Sequence, residues 1–150
     1  MPKRKITITT GTRAEYGILR PILKEILTKK NLELYLIVTG THLSKKHGMT
    51  INEIKKDGFK ISKKIESLPK GNTAFEMTKS IGTGISNFAK TFEKIKPDLN
   101  VILGDRPEVF ASAVAAYNLN IPNAHIHGGD VSGNIDEYTR HAITKISNIH

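Results

Sequence analysis

The chain has 150 residues, 38% of them hydrophobic, which suits one globular domain able to bury most of the surface its unfolded form exposes. Lys and Arg number 23 against 14 Asp and Glu, a formal net charge of +9 with no cysteine; this excludes a disulfide framework, thiolate zinc ligands and a cysteine nucleophile. The basic residues fall in scattered pairs such as Lys29-Lys30, Lys45-Lys46, Lys55-Lys56 and Lys63-Lys64, without interleaved aromatics or a recognition motif, so they read as a solvated surface that draws small anions and not as a nucleic-acid interface.

In chain order, Lys5 to Thr10 predicts a strand that runs into Gly11-Thr-Arg-Ala-Glu-Tyr-Gly17. Ile18, Ile22 and Ile26 beside Leu19, Leu23 and Leu27 then predict a helix with one broad apolar face. Leu32 to Thr39 is a second strand, Gly40 to Gly48 a loop, and Ile51 to Lys56 a short helix ended by Asp57-Gly58. Phe59 to Ile65 alternates apolar and polar residues, as a strand near the sheet edge does. After a polar loop, Ile81, Ile85, Phe88, Phe92 and Ile95 step through a long helix that Gly82 and Gly84 weaken. Leu99 to Leu103 is strand four, Glu108 to Tyr117 an Ala-rich helix, Asn123 to His127 strand five and Ile135 to Ser147 the last helix. The alternation predicts an α/β fold, a parallel sheet with helices on both faces. No run is long and apolar enough for a membrane span, and the Lys-rich start lacks a signal peptide's apolar core, so a cytoplasmic protein with no membrane partner is expected.

Ionisable residues cluster where strands end, the edge at which α/β enzymes gather their sites. Arg13 stands at the first corner, where backbone amides and a guanidinium can receive an oxyanion. The corner lacks Gly-x-Gly-x-x-Gly and Gly-Lys-Ser/Thr, so neither a nicotinamide enzyme nor a P-loop NTPase is supported. His42 holds the second corner, as a substrate contact or as part of a polar surface loop. Asp105 follows Gly104 at the end of strand four, as an acid/base group or as a cap on the next helix; Arg106 beside it can hold a phosphate or pair with Glu108. His125 and His127, two apart in a strand, are expected to face one way, with His125 either a substrate contact or a hydrogen-bonded histidine at the sheet edge. Asp136 with Arg140 and Glu137 with His141 are i, i+4 pairs at the start of the last helix; acids there also suit the helix dipole.

Together Gly11 to Gly17, Val38-Thr-Gly-Thr-His-Leu43, Gly104-Asp-Arg106, His125-Ile-His-Gly-Gly-Asp130 and Asp136 to Lys145 resemble, in order and over nearly the whole chain, the N-terminal half of UDP-N-acetylglucosamine 2-epimerases, in particular the hydrolysing branch of sialic-acid and related nonulosonate synthesis. The resemblance implies a GT-B architecture in which residues 1–150 form a Rossmann-like N-terminal domain, a C-terminal domain binds most of the nucleotide, and a sixth strand starts near Ile149-His150. It implies conversion of a UDP-sugar substrate, UDP-N-acetylglucosamine, to N-acetylmannosamine and UDP by elimination then hydration, with no cofactor, no metal and a homo-oligomeric assembly. Asp105 and Glu137 become the proton-transfer candidates, with His127 a third, at a position where the family often has Glu, and Asp136 the fallback; Arg13, His42, His125 and Arg140 become substrate contacts. A domain lacking its companion lobe is expected to turn over little and to self-associate through exposed surface. Two other readings stand beside this one: a metal-dependent hydrolase using His125, His127 and Asp130, and a non-catalytic sugar-nucleotide binding domain.

Overall fold

The computed structural model describes residues 2–150. Five strands, β1 (Arg4–Thr10), β2 (Leu32–Thr39), β3 (Ile61–Ile65), β4 (Leu99–Leu103) and β5 (Asn123–Ile126), form one sheet in the order β3-β2-β1-β4-β5, every pair parallel. They alternate with α1 (Arg13–Thr28), α2 (Ile51–Lys56), α3 (Ala74–Ile95), α4 (Pro107–Asn118) and α5 (Asp136–Lys145), and two 3-10 turns, Gly40–Leu43 and Lys45–His47, follow β2. This is the expected Rossmann-like α/β fold. Beside β5, where a sixth strand is expected, Ile149 makes a single parallel bridge with Ala124, and His125 N–H donates to its carbonyl at 2.8 Å. No helix among the described residues is long and apolar enough to cross a membrane.

Strand alternation sorts the core into two layers. Ile6, Ile8, Leu36, Val38, Val101 and Leu103 face α1 and α2, where they meet Tyr16, Leu19, Leu23, Ile51, Ile54 and Phe59. On the opposite face Ile37 and Ile65 pack on Phe88, Phe92 and Ala111 of α3 and α4, and Ile102 packs on Val109, Ala113 and Ile143. The apolar stripe of α1 is narrower than its sequence suggests: Ile18 is 47% and Leu27 61% exposed. Only the arc of one helix side meets a sheet, and residues stepping by four drift off that arc by about 40° at each step.

The face under α4 also carries a buried polar ladder. Thr7 Oγ1 donates to Asn100 Oδ1 at 3.0 Å, and Asn100 Nδ2 donates to Ser112 Oγ at 3.1 Å and Asn123 Oδ1 at 2.9 Å. Thr9 and Ser112 share a bond of 3.2 Å, and Asn123 Nδ2 donates to the Ala113 carbonyl at 3.0 Å. Buried polar groups satisfied this completely fix one arrangement of their neighbours, here the seat of α4 across β1, β4 and β5.

The glycines of α3 do not interrupt it. Gly84 is buried, and a methyl group there would sit 3.1 Å from the Ala111 Cβ, whereas nothing lies within 4 Å of one at Gly82. Gly84 thus lets α3 and α4 approach, and Gly82 is a plain exposed helix position. Gly82→Ala should therefore raise stability by about 0.5–1 kcal/mol, while Gly84→Leu should lower it by about 1–3 kcal/mol through overpacking; urea unfolding of the two variants reads both.

Candidate active site

The chain leaves β1 toward α1 on one face of the sheet and leaves β4 toward α4 on the other. Between these neighbouring strands the connections diverge, and a crevice opens at their carboxyl ends, the place where open α/β sheets bind ligands. Gly11 after β1 and Gly40 after β2 line it. The Gly11 carbonyl accepts from Thr41 Oγ1 at 3.1 Å and from the His42 amide at 3.3 Å, which ties the two corners together. Glu108, on the first turn of α4, inserts its carboxylate between them. A side chain at Gly11 would collide with it, and a Cβ at Gly40, which has φ +58°, would lie 2.7 Å from its Oε1.

A second buried carboxylate closes the same corner. Thr12 and Glu15 form a capping box, in which Glu15 Oε2 accepts from the amides of Gly11 at 2.7 Å and Thr12 at 3.1 Å. Its Oε1 is buried without a partner. Burial raises the Glu15 pKa to about 7, the Gly11 and Thr12 bonds opposing and the charge of Glu108 adding to the rise. The corner amides expected to receive an oxyanion with Arg13 are therefore already engaged. Arg13 itself points outward, its side chain 74% exposed and its Nε donating to Glu53 Oε2 at 3.1 Å.

At the next corner Asp105 does not cap α4. The cap position is Arg106, with no side-chain capping bond, and the Arg106 Nε donates to Glu108 Oε1 at 3.2 Å. The Asp105 carboxylate turns to α5, where Arg140 donates to its Oδ2 from Nε at 3.0 Å and Nη2 at 2.5 Å. Arg140 Nη1 meanwhile donates to the Asp130 carbonyl at 2.6 Å and to Ser132 Oγ at 3.2 Å. One guanidinium thus draws the glycine-rich loop after β5 against the end of β4.

His125 and His127 do not face one way. β5 ends at Ile126, and His127 takes a left-handed conformation at φ +60°, which breaks the period-two alternation. His127 is exposed, its Nδ1 3.8 Å from Asp130 Oδ2. His125 is buried: its Nε2 donates to the Gly104 carbonyl at 2.7 Å and its Nδ1 pairs with Thr144 Oγ1 at 3.0 Å, which in turn accepts from the Gly129 amide at 3.0 Å. Burial lowers its pKa. Neutral, with both ring nitrogens engaged, His125 braces the β4 corner, the loop and α5, and it has no lone pair to give a metal or a substrate.

His42 is also fully buried and does not lie on a surface loop. Its ring nitrogens bond Thr10 Oγ1 at 3.0 Å and Thr50 Oγ1 at 2.7 Å, its edge meets the Tyr16 ring, and burial lowers its pKa to about 4. It holds the β1 and β2 corners in register and does not face the crevice.

The expected i, i+4 pairs of α5 do not form. Arg140 is taken by Asp105, and Glu137 Oε2 accepts from the amides of Ser132 and Gly133, both at 2.6 Å; those bonds hold its pKa below the ordinary carboxylate value. Donor amides in the preceding loop, for Glu137, and the Asp105 carboxylate at the end of β4, for Arg140, outcompete the helical spacing. Asp136 is exposed on the same first turn. Asp105, Arg140, Asp130 and His127 are therefore brought together, Glu137 and Asp136 stand on the outer rim, and Arg13 lies on the α2 side. The pairing of Arg106 with Glu108 is the one the sequence offered; reading the sequence missed the place of Glu108 between the glycine corners, and missed Glu15 altogether, although Thr12-Arg-Ala-Glu15 carries the capping-box spacing in plain view.

Residues 24–150 match the family model described as UDP-N-acetylglucosamine 2-epimerase. The chain is 45% identical to a protein of Legionella pneumophila named UDP-N,N'-diacetylbacillosamine 2-epimerase (hydrolyzing), over 98% of this chain and 39% of that protein. It is 44% identical to the GDP/UDP-N,N'-diacetylbacillosamine 2-epimerase (hydrolyzing) of Campylobacter jejuni, over 100% of this chain and 39% of that protein. A structure of the Methanocaldococcus jannaschii UDP-GlcNAc 2-epimerase, in complex with UDP-GlcNAc and UDP, superposes with a TM-score of 0.79 at 29% identity, covering 95% of this chain and 38% of that one. The chain spans about two fifths of the length of these relatives, and it belongs to the UDP-N-acetylglucosamine 2-epimerase family.

The buried ionisable groups make opposite demands of pH. The pKa of His42 falls on folding from 6.5 to about 4, so its contribution is complete above about pH 6.5 and is lost as pH falls toward 4. For Glu15 the rise from 4.5 to about 7 gives a contribution complete below about pH 4.5 and lost as pH rises toward 7. Each amounts to roughly 3 kcal/mol at most, and where the windows overlap they cancel. The urea midpoint of the wild-type chain should vary little between pH 4.5 and 6.5 on their account. That of His42→Asn should fall as pH rises through this range, and that of Glu15→Gln should rise.

Proposed function

From membership of that family, we propose that this domain supplies the proton-transfer half of a hydrolysing 2-epimerase acting on a UDP-activated 2-acetamido sugar, joined to a second lobe that holds most of the nucleotide. The observation that carries this reading is the Asp105 carboxylate at the end of β4, gripped by Arg140 beside the strand switch, with the His127 to Ser132 loop drawn against it. The C2 hydrogen of such a sugar is not adjacent to a carbonyl, so no side chain removes it from the resting sugar at a useful rate. Departure of UDP from C1 comes first; the positive charge that develops on the ring acidifies C2–H and is itself stabilised by a carboxylate. Loss of that proton gives the 2-acetamidoglucal, and addition of hydroxyl at C1 and a proton at C2 from the opposite face releases the free 2-epimeric sugar.

In this reading Asp105 takes the C2 proton while Arg140 orients its carboxylate. His127, exposed on the adjacent loop, is the second proton carrier, since an imidazole can both accept and donate a proton. Asp136 lies on the α5 rim as the reserve acid. Glu137 is a base only after release from the Ser132 and Gly133 amides, so its first role is to shape the loop. UDP-N-acetylglucosamine and UDP-N,N'-diacetylbacillosamine are the substrates to compare, because the family name and the names of the Legionella and Campylobacter relatives differ on this point.

A chimera in which this chain replaces the matching segment of the Legionella relative tests the reading. It should release UDP and a 2-epimerised free sugar from at least one of the two substrates, and Asp105→Asn should lower kcat by about 10²–10⁴-fold with the fold intact. A folded chimera without turnover, or an Asp105→Asn variant within a few-fold of the parent, contradicts it.

A further inference from the structure

Glu15 and Glu108 reach the crevice from opposite faces of the sheet, from the first turns of α1 and α4, and each is at least 93% buried. They approach Gly11 from two sides: its amide donates to Glu15 Oε2, and Glu108 fills the space that a side chain there would need. We propose that Glu15 and Glu108 are one coupled positioning pair at the strand switch, in which the nearby Glu108 carboxylate keeps a proton on Glu15, and that the pair so fixes the Gly11 and Gly40 corners against which substrate is seated. What is seated there rests on the epimerase reading above; the pair itself does not.

The charge balance of the pocket favours one retained proton. The charged and titratable groups facing the pair are few. Arg106 contributes one guanidinium, bonded to Glu108 and partly exposed. His42 is neutral and occupied by Thr10 and Thr50. Arg13 is turned to Glu53, and Asp105 is held by Arg140. Two buried carboxylates against one cation leave an excess negative charge that burial makes costly, and one retained proton removes it. Glu15 is the partner that keeps it. Its Oε2 takes both corner amides and its Oε1 has no donor at all, the arrangement of an acid whose second oxygen need not be a charged acceptor. Its raised pKa agrees with this.

A functional consequence follows for a diphosphate ligand. With the proton in place the crevice floor carries no excess charge, and without it the floor repels the ligand and loosens the Gly11 corner. Glu15→Gln imitates the protonated acid, since glutamine closes a capping box equally well. A Glu15 that serves only as a cap would be indifferent to the removal of the Glu108 charge.

Amide resonances of the ¹⁵N-labelled chain, followed from about pH 5 to about pH 9, decide the matter. The expected result is one transition, centred at about pH 7, common to Gly11, Thr12 and Gly40. In Glu108→Gln its midpoint should fall by about one pH unit or more, a tenfold loss of proton affinity. In Glu15→Gln the transition should vanish from all three amides. A wild-type midpoint below about pH 5, a midpoint unmoved by Glu108→Gln, or a Gly40 amide that does not follow Gly11 overturns the proposal. Should Glu15→Gln fail to fold, the Glu108→Gln shift decides alone. The chimera's turnover is a separate readout, so failure of the pair and failure of the epimerase reading are told apart.

Discussion

The connections that leave β1 and β4 depart to opposite faces of the sheet, and the chemistry proposed for this domain depends on the gap they open. A gap between two backbone corners has to be held at a set width, because glycine corners alone would close or splay. Here it is held from three sides. Thr41 and the His42 amide tie the Gly40 corner to the Gly11 carbonyl, Glu15 pins the Gly11 amide, and Glu108 wedges between the two glycines. The polar ladder of Thr7, Thr9, Asn100, Ser112 and Asn123 seats α4 beneath them. Because α4 starts at Pro107, its placement also sets where Asp105 and Glu108 stand.

The electrostatics of the gap run against those of the surface. Overall the chain carries an excess of nine positive charges, yet the groups buried at the strand ends are mainly acids and neutral histidines. The basic exterior raises the local concentration of an anionic ligand, while the interior acids are the groups that the proposed reaction needs to move protons and stabilise a cationic ring. Arg140 reconciles the two at the decisive place. It pairs with Asp105 inside the gap and organises the loop outside it, so that one side chain both holds the loop and orients the carboxylate.

Much of this architecture was legible in the residues. Alternating apolar runs and helical periodicities locate all five strands and helices, and the clusters at the strand ends contain Asp105, His127 and Arg140, which the fold gathers at one end of the sheet. The failures share a cause, which is that spacing along the chain says where a residue sits and not which partner it takes. His125 and His127 have the spacing of one sheet face, but the left-handed turn at His127 separates them. Asp136 and Glu137 have helical spacing to Arg140 and His141, but Asp105 and two loop amides are better partners. His42 sits in a polar segment and is buried all the same, because two threonines satisfy its ring. Glu15 and Glu108 are visible as residues; that they meet is a property of the strand order, which brings together segments 93 residues apart by joining β1 to β4.

Titrating UDP-N-acetylglucosamine, and separately UDP-N,N'-diacetylbacillosamine, into the ¹⁵N-labelled chain and mapping the amides that shift tests most directly whether this crevice is the site. The account predicts that the perturbed amides cluster at Gly11 and Thr12, at Gly104 to Arg106 and at His127 to Gly133, with the largest changes beside Asp105. Shifts confined instead to the lysine-lined groove of Lys63, Lys90 and Lys94 at the β3 edge, with the strand-switch amides unmoved, would contradict it.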